Sequence, residues 1–407
     1  MGLTGRDGGS YGVLPIATPY SEVAMTDPRT YDRRRFLTGM AAAGAGAFLA
    51  HCGGSAPERS AAPAAGGQPS SAGDLMNVAA GRRIDVHHHF TSPGWFKELE
   101  AANLVPNARK GWTPAKTLEA MDKSGTATAL ISTGQAGGAF TPDRLKQRGV
   151  TPAQAAESIR RLAREANEYG TKLAADHPGR FVLMASLPMP DLDASLKELE
   201  YALDTLKAGG AFLPTSYGDK YIGDPAFVPL LEELNRRRVT VYTHPTDAAC
   251  CINIIPKLIP NAIEYGTDTS RMIMSLIVND APNKFRNIRW IFSHAGGTLP
   301  FLVERVVGND GDLADVLKQP AEPDSRLDQL RRFYYDTAQT ANPVAMTALK
   351  QVVGLDQIVF GTDFPYSTMV DHIQGLAKSA TFDAQELERV YRGNSERFLP
   401  QGGSSTA

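Results

Sequence analysis

Arg83-Ile84-Asp85-Val86-His87-His88-His89-Phe90 decides how the rest of the sequence reads. It is a short apolar run that ends in histidines. Side chains on a strand alternate between faces, so His87 and His89 point one way and His88 the other. Two imidazoles converging from one strand make a two-toothed clamp for a metal ion. The same ending argues against the competing architecture, a doubly wound open sheet. Such a sheet usually carries a Gly-rich turn after its first strand, and neither G-x-G-x-x-G nor a P-loop occurs in this chain.

Outward from this run, short apolar stretches recur at 126–132, 180–187, 210–215, 240–244, 288–294, 333–337 and 358–363. Amphipathic helical patterns lie between them, at 152–176, 192–206, 225–237 and 343–353. Near-continuous apolar strands alternating with helices indicate a parallel sheet covered on both faces. With the first run, these stretches predict an α/β fold, a (β/α)8 TIM barrel, over residues 74–400.

Three later strands end as the first does. The fifth runs Val241-Tyr242-Thr243-His244-Pro245, the sixth Ile291-Phe292-Ser293-His294-Ala295-Gly296-Gly297, and the eighth Phe360-Gly361-Thr362-Asp363-Phe364-Pro365. In a barrel the C-terminal strand ends surround one mouth, so residues far apart in sequence meet there. His87, His89, His244 and Asp363 supply three nitrogens and a carboxylate, an open mononuclear site for Zn2+ or a similar divalent ion. His294 is then left to act as acid or base beside the metal. His51, His177 and His372 are background.

Composition removes other classes. The 407 residues carry 42 Lys and Arg against 44 Asp and Glu, a formal charge of −2, which gives no footprint for nucleic acid or an anionic membrane surface. Three cysteines cannot staple a chain of this length. The N-terminal segment differs from the rest. Residues 1–52 hold Asp32-Arg33-Arg34-Arg35-Phe36-Leu37-Thr38 followed by an Ala/Gly-rich apolar run over 40–50, too short to span a bilayer as a helix. A charged region before a short apolar one is the layout of an export signal. This one is similar to the twin-arginine type, with Arg33 and Arg34 as the pair. Translation from Met25 would retain all of it, and Cys52 is a candidate lipidation site with His51 where a small residue is wanted. Residues 53–73, rich in Gly, Ser, Ala and Pro, read as a disordered linker, and 401–407 as a flexible tail.

The set H-x-H, T-H-P, S-H-A-G-G and G-T-D-F-P resembles the amidohydrolase superfamily, in its decarboxylase branch. That branch includes aminocarboxymuconate-semialdehyde, γ-resorcylate and 6-methylsalicylate decarboxylases. The likeness runs from about Arg83 to Phe398 and takes in Gly111-Trp112-Thr113-Pro114, Gly223-Asp224-Pro225-Ala226-Phe227 and Gly393-Asn394-Ser395. The 6-methylsalicylate type is nearest, through H-H-H-F, Cys250-Cys251 and S-H-A-G-G-T-L-P. The resemblance implies one divalent metal, Zn with Mn or Mg as alternatives, held at His87, His89, His244 and Asp363, with His294 catalytic. Binuclear members bridge their metals through a carboxylated lysine on strand four, and 210–215 contains no lysine. It also implies a homodimer, in which Arg305, eleven residues after His294, reaches a neighbouring subunit's substrate carboxylate. Arg109 lies near where a second carboxylate-binding arginine is expected.

The chemistry expected is non-oxidative decarboxylation of a small phenolic carboxylic acid, with the proton that replaces CO2 coming from Asp363 or His294. Phe90, Trp95, Phe140, Tyr217 and Tyr366 lie just beyond strand ends and are candidate walls of an aromatic pocket. Two other functions use the same motifs: metal-assisted hydrolysis of a lactone, ester or amide, and non-catalytic binding of metal or aromatic acid in the cell envelope. Cys250 and Cys251 are expected to be two partly buried thiols in the loop over the mouth, a vicinal disulfide being the alternative. The leader places the protein in the periplasm or outer envelope, although relatives of this branch are mostly cytosolic.

Overall fold

The computed structural model describes residues 71–399, apart from 135–139, 141, 247, 252–253 and 309–312. The residues read as signal, as linker up to residue 70 and as tail lie outside the described residues. A short helix, Ala72–Met76, takes in the last two residues read as linker and is closed by a Ser71–Asp74 capping box.

Eight parallel strands follow one another around a barrel: β1 Arg83–His89, β2 Thr126–Ser132, β3 Phe181–Ser186, β4 Gly210–Pro214, β5 Thr240–His244, β6 Arg289–Phe292, β7 Tyr334–Asp336 and β8 Ile358–Val359. Each is hydrogen-bonded to its sequence neighbours. Backbone bonds from Val86 N to Phe360 O, Asp363 N to His87 O and His89 N to Phe364 O join β1 to the chain leaving β8 and close the circle. Helices cover the outside. The longest, Pro152–Asp176, starts at a Thr151–Gln154 capping box with proline in its first turn, and so begins where the sequence expects. The 192–206 pattern is α-helical only to Glu200 and then widens into a π-helical turn over Tyr201–Thr205.

The barrel interior takes one or two apolar residues from nearly every strand: Ile84, Val86, Leu130, Met184, Phe212, Tyr242, Ile291 and Val359. Their neighbours, such as Leu183, Leu213, Val241 and Phe292, pack outward in the larger clusters shared with the helices. This alternation fixes which polar residues face the mouth. His244 is in phase with interior Tyr242, and Asp336 follows outward-packed Tyr335. In β1 the register against β2 shifts between Asp85 and His88. Val86 can therefore join the interior cluster while the next residue, His87, also sets its ring 5.2 Å from that of Tyr242. No helix among the described residues is long and apolar enough to cross a membrane.

Candidate metal and catalytic centre

The C-terminal ends of β1, β5, β6 and β8 bring together the residues that the sequence nominated. One donor atom each from His87, His244, His294 and Asp363 fall within 4.8 Å of one another, and all four residues are buried. His89 completes the cluster: its Nε2 is 3.1 Å from His87 Nε2 and 3.1 Å from Asp363 Oδ1. His87 Nε2 is 3.2 Å from the same carboxylate oxygen. His88 points elsewhere, pairing with Asp85 and stacking on Phe364.

These atoms fit a divalent cation by their hydrogen bonding. His87 Nδ1 faces Asp336 Oδ2 at 2.8 Å, His244 Nδ1 faces the Pro245 carbonyl at 2.9 Å, and His89 Nδ1 faces Ser132 Oγ at 3.3 Å. In all three rings an oxygen partners Nδ1; the carboxylate and the carbonyl can only accept, and assigning the Nδ1 proton on this basis leaves the Nε2 lone pairs turned inward. Asp363 Oδ1, buried and close to two of those nitrogens, accepts no hydrogen bond among the described residues. Lone pairs converging on a buried point without a donor are the arrangement that a cation satisfies.

The backbone is unusual here. Asp363 has φ 62°, His294 φ 55° and Ala295 φ 57°, left-handed values that non-glycine residues seldom adopt. Two of them are held from outside. His294 N donates to Asp336 Oδ1 at 2.8 Å, and Asp363 N donates to the His87 carbonyl at 2.9 Å. His294 Nε2 lies 3.6 Å from Asp363 Oδ2, which also accepts from Gln339 Nε2 at 3.1 Å.

Burial disfavours charge throughout the group. It pushes His89 down to about 4 and His244 well below the usual imidazole range, so both are neutral bases at neutral pH. Burial also opposes a charged His87, but the Asp336 and Asp363 carboxylates on its two sides outweigh it and lift the ring to about 10, so a cation that takes the His87 Nε2 lone pair displaces a proton from it. In Asp363 the burial effect is overcome by His87, His294 and His89, which hold the carboxyl well below its ordinary value.

Arg109 is buried beside this cluster. Its Nε donates to Tyr366 Oη at 2.7 Å, Nη1 to Thr91 Oγ1 at 2.9 Å and Phe90 O at 3.2 Å, and Nη2 to Thr133 O at 2.8 Å. Gly134 permits the approach. A Cβ there would lie 2.6 Å from Arg109 Nη2 and 2.7 Å from His89 Nδ1. No carboxylate pairs with Arg109 among the described residues. The other sequence candidates lie in other surroundings. Arg305 is exposed on the helix Val303–Val307. Phe90 stacks on Tyr169, and Trp95 meets Phe140 edge-on, both in the cluster between strands and outer helices. Strand alternation accounts for Phe90: it follows His89 and so faces outward. Tyr217 is partly buried against Phe227, with its hydroxyl unpartnered among the described residues.

Cys250 and Cys251 are joined as a vicinal disulfide, which corrects the expectation of free thiols. They lie in the short turn Ala249–Cys251, with Cα atoms 3.8 Å apart, the span of one trans peptide. Two residues escaped the sequence reading. Asp336 ends β7 as His244 ends β5, so the same search along strand ends would have found it. Asp85 sits within the decisive run itself, where its carboxylate accepts from His87 N, Thr362 N and Thr362 Oγ1.

Comparison with known proteins agrees with this geometry. The family model described as amidohydrolase matches residues 84–401. The chain is 34% identical over 340 residues to decarboxylase macB of Penicillium terrestre, covering 78% of this chain and 95% of that one. It is 36% identical over 291 residues to 6-methylsalicylic acid decarboxylase acuB of Aspergillus aculeatus, covering 70% and 84%. Among solved structures, a dihydroxybenzoic acid decarboxylase from Polaromonas with bound manganese and the inhibitor 2-nitroresorcinol superposes with a TM-score of 0.62 at 21% identity, over 78% of this chain and 96% of that one. At that identity the likeness speaks for the fold, whereas the family match spans most of the barrel sequence. With its eight-stranded barrel and its cluster of strand-end histidines and aspartate, the chain belongs to the amidohydrolase family.

Proposed function

We propose that the protein is a divalent-metal-dependent, non-oxidative decarboxylase of a small phenolic carboxylic acid of the 6-methylsalicylate kind. The observation that carries this reading is Arg109, a buried guanidinium with no carboxylate partner among the described residues, placed next to His89 of the metal cluster. A carboxylate-bearing substrate would supply the missing negative charge there. The decarboxylase relatives support the same choice.

His87, His89, His244 and Asp363 would hold the metal, which when bound neutralises the substrate's carboxylate and adjacent hydroxyl and orients the ring. Zn2+ suits three imidazoles and one carboxylate, and Mn2+ is the ion bound in the Polaromonas relative. The C–CO2 bond breaks with its electron pair left on the ring carbon, and that carbon takes a proton. Asp363 and His294 are the groups in reach of this role, their side chains 3.6 Å apart. Arg109 and Tyr366 anchor the substrate's negative charge. Arg305 would complete the pocket from a second subunit of a homodimer, and exposed Phe301 and Leu302 beside it are apolar surface that such a partner would cover. Export through the leader at Arg33 and Arg34 fits a vicinal disulfide, since disulfides persist in oxidising compartments.

The test is to load the protein with Zn2+ or Mn2+ and incubate it with 6-methylsalicylate, 2,6-dihydroxybenzoate and a set of aryl lactones. CO2 release from an aromatic acid is the expected result. Lactone opening without CO2 would replace this reading with hydrolysis, and tight binding without turnover would replace it with a binding role. Sedimentation of the purified protein reports the dimer, and fractionation after changing Arg33 and Arg34 to lysine reports export.

A further inference from the structure

We infer that Asp336 is a positioning residue whose two oxygens tie the metal-facing His87 to the acid–base His294, an inference that rests on the metal-dependent reading above. The carboxylate is fully buried at the end of β7 and divides its work. Oδ2 takes the Nδ1 side of His87 at 2.8 Å. Oδ1 accepts the backbone N–H of His294 at 2.8 Å and that of Ala338 at 3.0 Å. The first contact sets which nitrogen of His87 keeps its lone pair toward the cluster. The second holds the His294 peptide in its left-handed conformation, and with it the direction of the imidazole.

The neighbouring backbone leaves this carboxylate little freedom. Gly361 lets the two side chains meet: a Cβ there would stand 2.8 Å from both Asp336 Cβ and His87 Cβ. Tyr242 Oη, 3.4 Å from Oδ2, closes the remaining side. One buried group therefore governs a metal ligand from β1 and a proton-handling residue after β6, which no contact local to either strand could do.

Two variants separate the two roles. Asp336→Asn keeps an oxygen for the His294 and Ala338 amides but presents an NH2 to His87 Nδ1. That ring must then accept at Nδ1 and carry its proton on Nε2, the nitrogen turned toward the metal. Asp336→Ala removes both contacts. Metal affinity, measured by chelator competition, should fall about 10–100-fold in both variants. In Zn-loaded wild type, 15N-detected NMR of labelled histidine should show His87 protonated at Nδ1, a signal absent from Asp336→Asn. At saturating metal, kcat should drop about 100-fold in Asp336→Ala, where the His294 peptide is released, and by less in Asp336→Asn, which loses the His87 contact but keeps that of His294. Wild-type metal affinity with an unchanged Nδ1 signal in Asp336→Asn would overturn the inference. If wild type binds metal but releases no CO2, the decarboxylase reading fails while affinity and NMR still judge Asp336.

Discussion

Replacing Asp85 by alanine should be among the most damaging single changes outside the metal cluster. Asp85 is fully buried, with Oδ1 3.0 Å from both His87 N and Thr362 N. Oδ2 is 2.6 Å from Thr362 Oγ1 and 3.1 Å from His88 Nδ1. The carboxylate thus bridges β1 to the chain just before Asp363, across the seam where the barrel closes. Each buried donor left without a partner costs about 1–3 kcal/mol. The Thr362 hydroxyl can rotate and the His88 proton can move, but the two backbone amides cannot, so the expected loss is about 4 kcal/mol. Asp85→Asn keeps Oδ1 for both amides. Its cost reduces to moving the His88 proton onto Nε2, a buried atom without a partner among the described residues, and should be about 1–3 kcal/mol. At the shallow end of the usual relation for larger domains, about 2 °C per kcal/mol, the alanine variant melts about 8 °C below wild type. Thermal unfolding by circular dichroism on metal-stripped protein, at one scan rate, separates the clasp from metal ligation. An Asp85→Ala midpoint within about 1 °C of wild type, or one equal to that of Asp85→Asn, would refute the reasoning.

Three further outcomes are expected. Burial lowers His372 to about 4, whereas an unfolded histidine titrates near 6.5. The unfolded chain therefore takes up the proton first on acidification, and stability present above pH 6.5 is lost as pH falls toward 4, by up to about 3 kcal/mol. Urea unfolding at both pH values should show a smaller acid loss in His372→Gln, which can still meet the Thr337 hydroxyl; an equal loss would assign the effect to other groups. Gly134→Ala combines a φ of 64° with contact on Arg109 and His89, so it should cost about 2–4 kcal/mol and weaken metal retention, both read in one calorimetric comparison. Alkylation of the unfolded, non-reduced protein should leave Cys250 and Cys251 unlabelled until a reductant is added, and mass-tagging of either beforehand would contradict their pairing.

Three strands, two helices and the cluster at the mouth were legible in the sequence to the residue. β1, β2 and β5 begin and end where the apolar runs do, as do the helices Pro152–Asp176 and Pro343–Val353. Strand periodicity is local, and a barrel gathers strand ends by its topology alone, so H-x-H, T-H-P, S-H-A-G-G and G-T-D-F-P pointed to one place before any distance was known. The short β8 departs furthest from its predicted run. Its apolar run continues to Asp363, but beyond Val359 the chain bonds mainly to β1 and turns left-handed at Asp363.

What tertiary structure decided is which polar atoms meet. Asp336 pairs with a histidine 249 positions away, and Asp85 with a threonine 277 positions away. Phe90, the last residue of the decisive run, and Trp95 beyond it became packing between strand and helix, while Arg109 was drawn in from the short helical turn Asn107–Arg109 to lie beside His89. The alternation of side chains determines a strand's faces from its own residues. The hydrogen-bond partner of a buried carboxylate depends on which strands the closed barrel sets side by side, and that is a property of the whole fold.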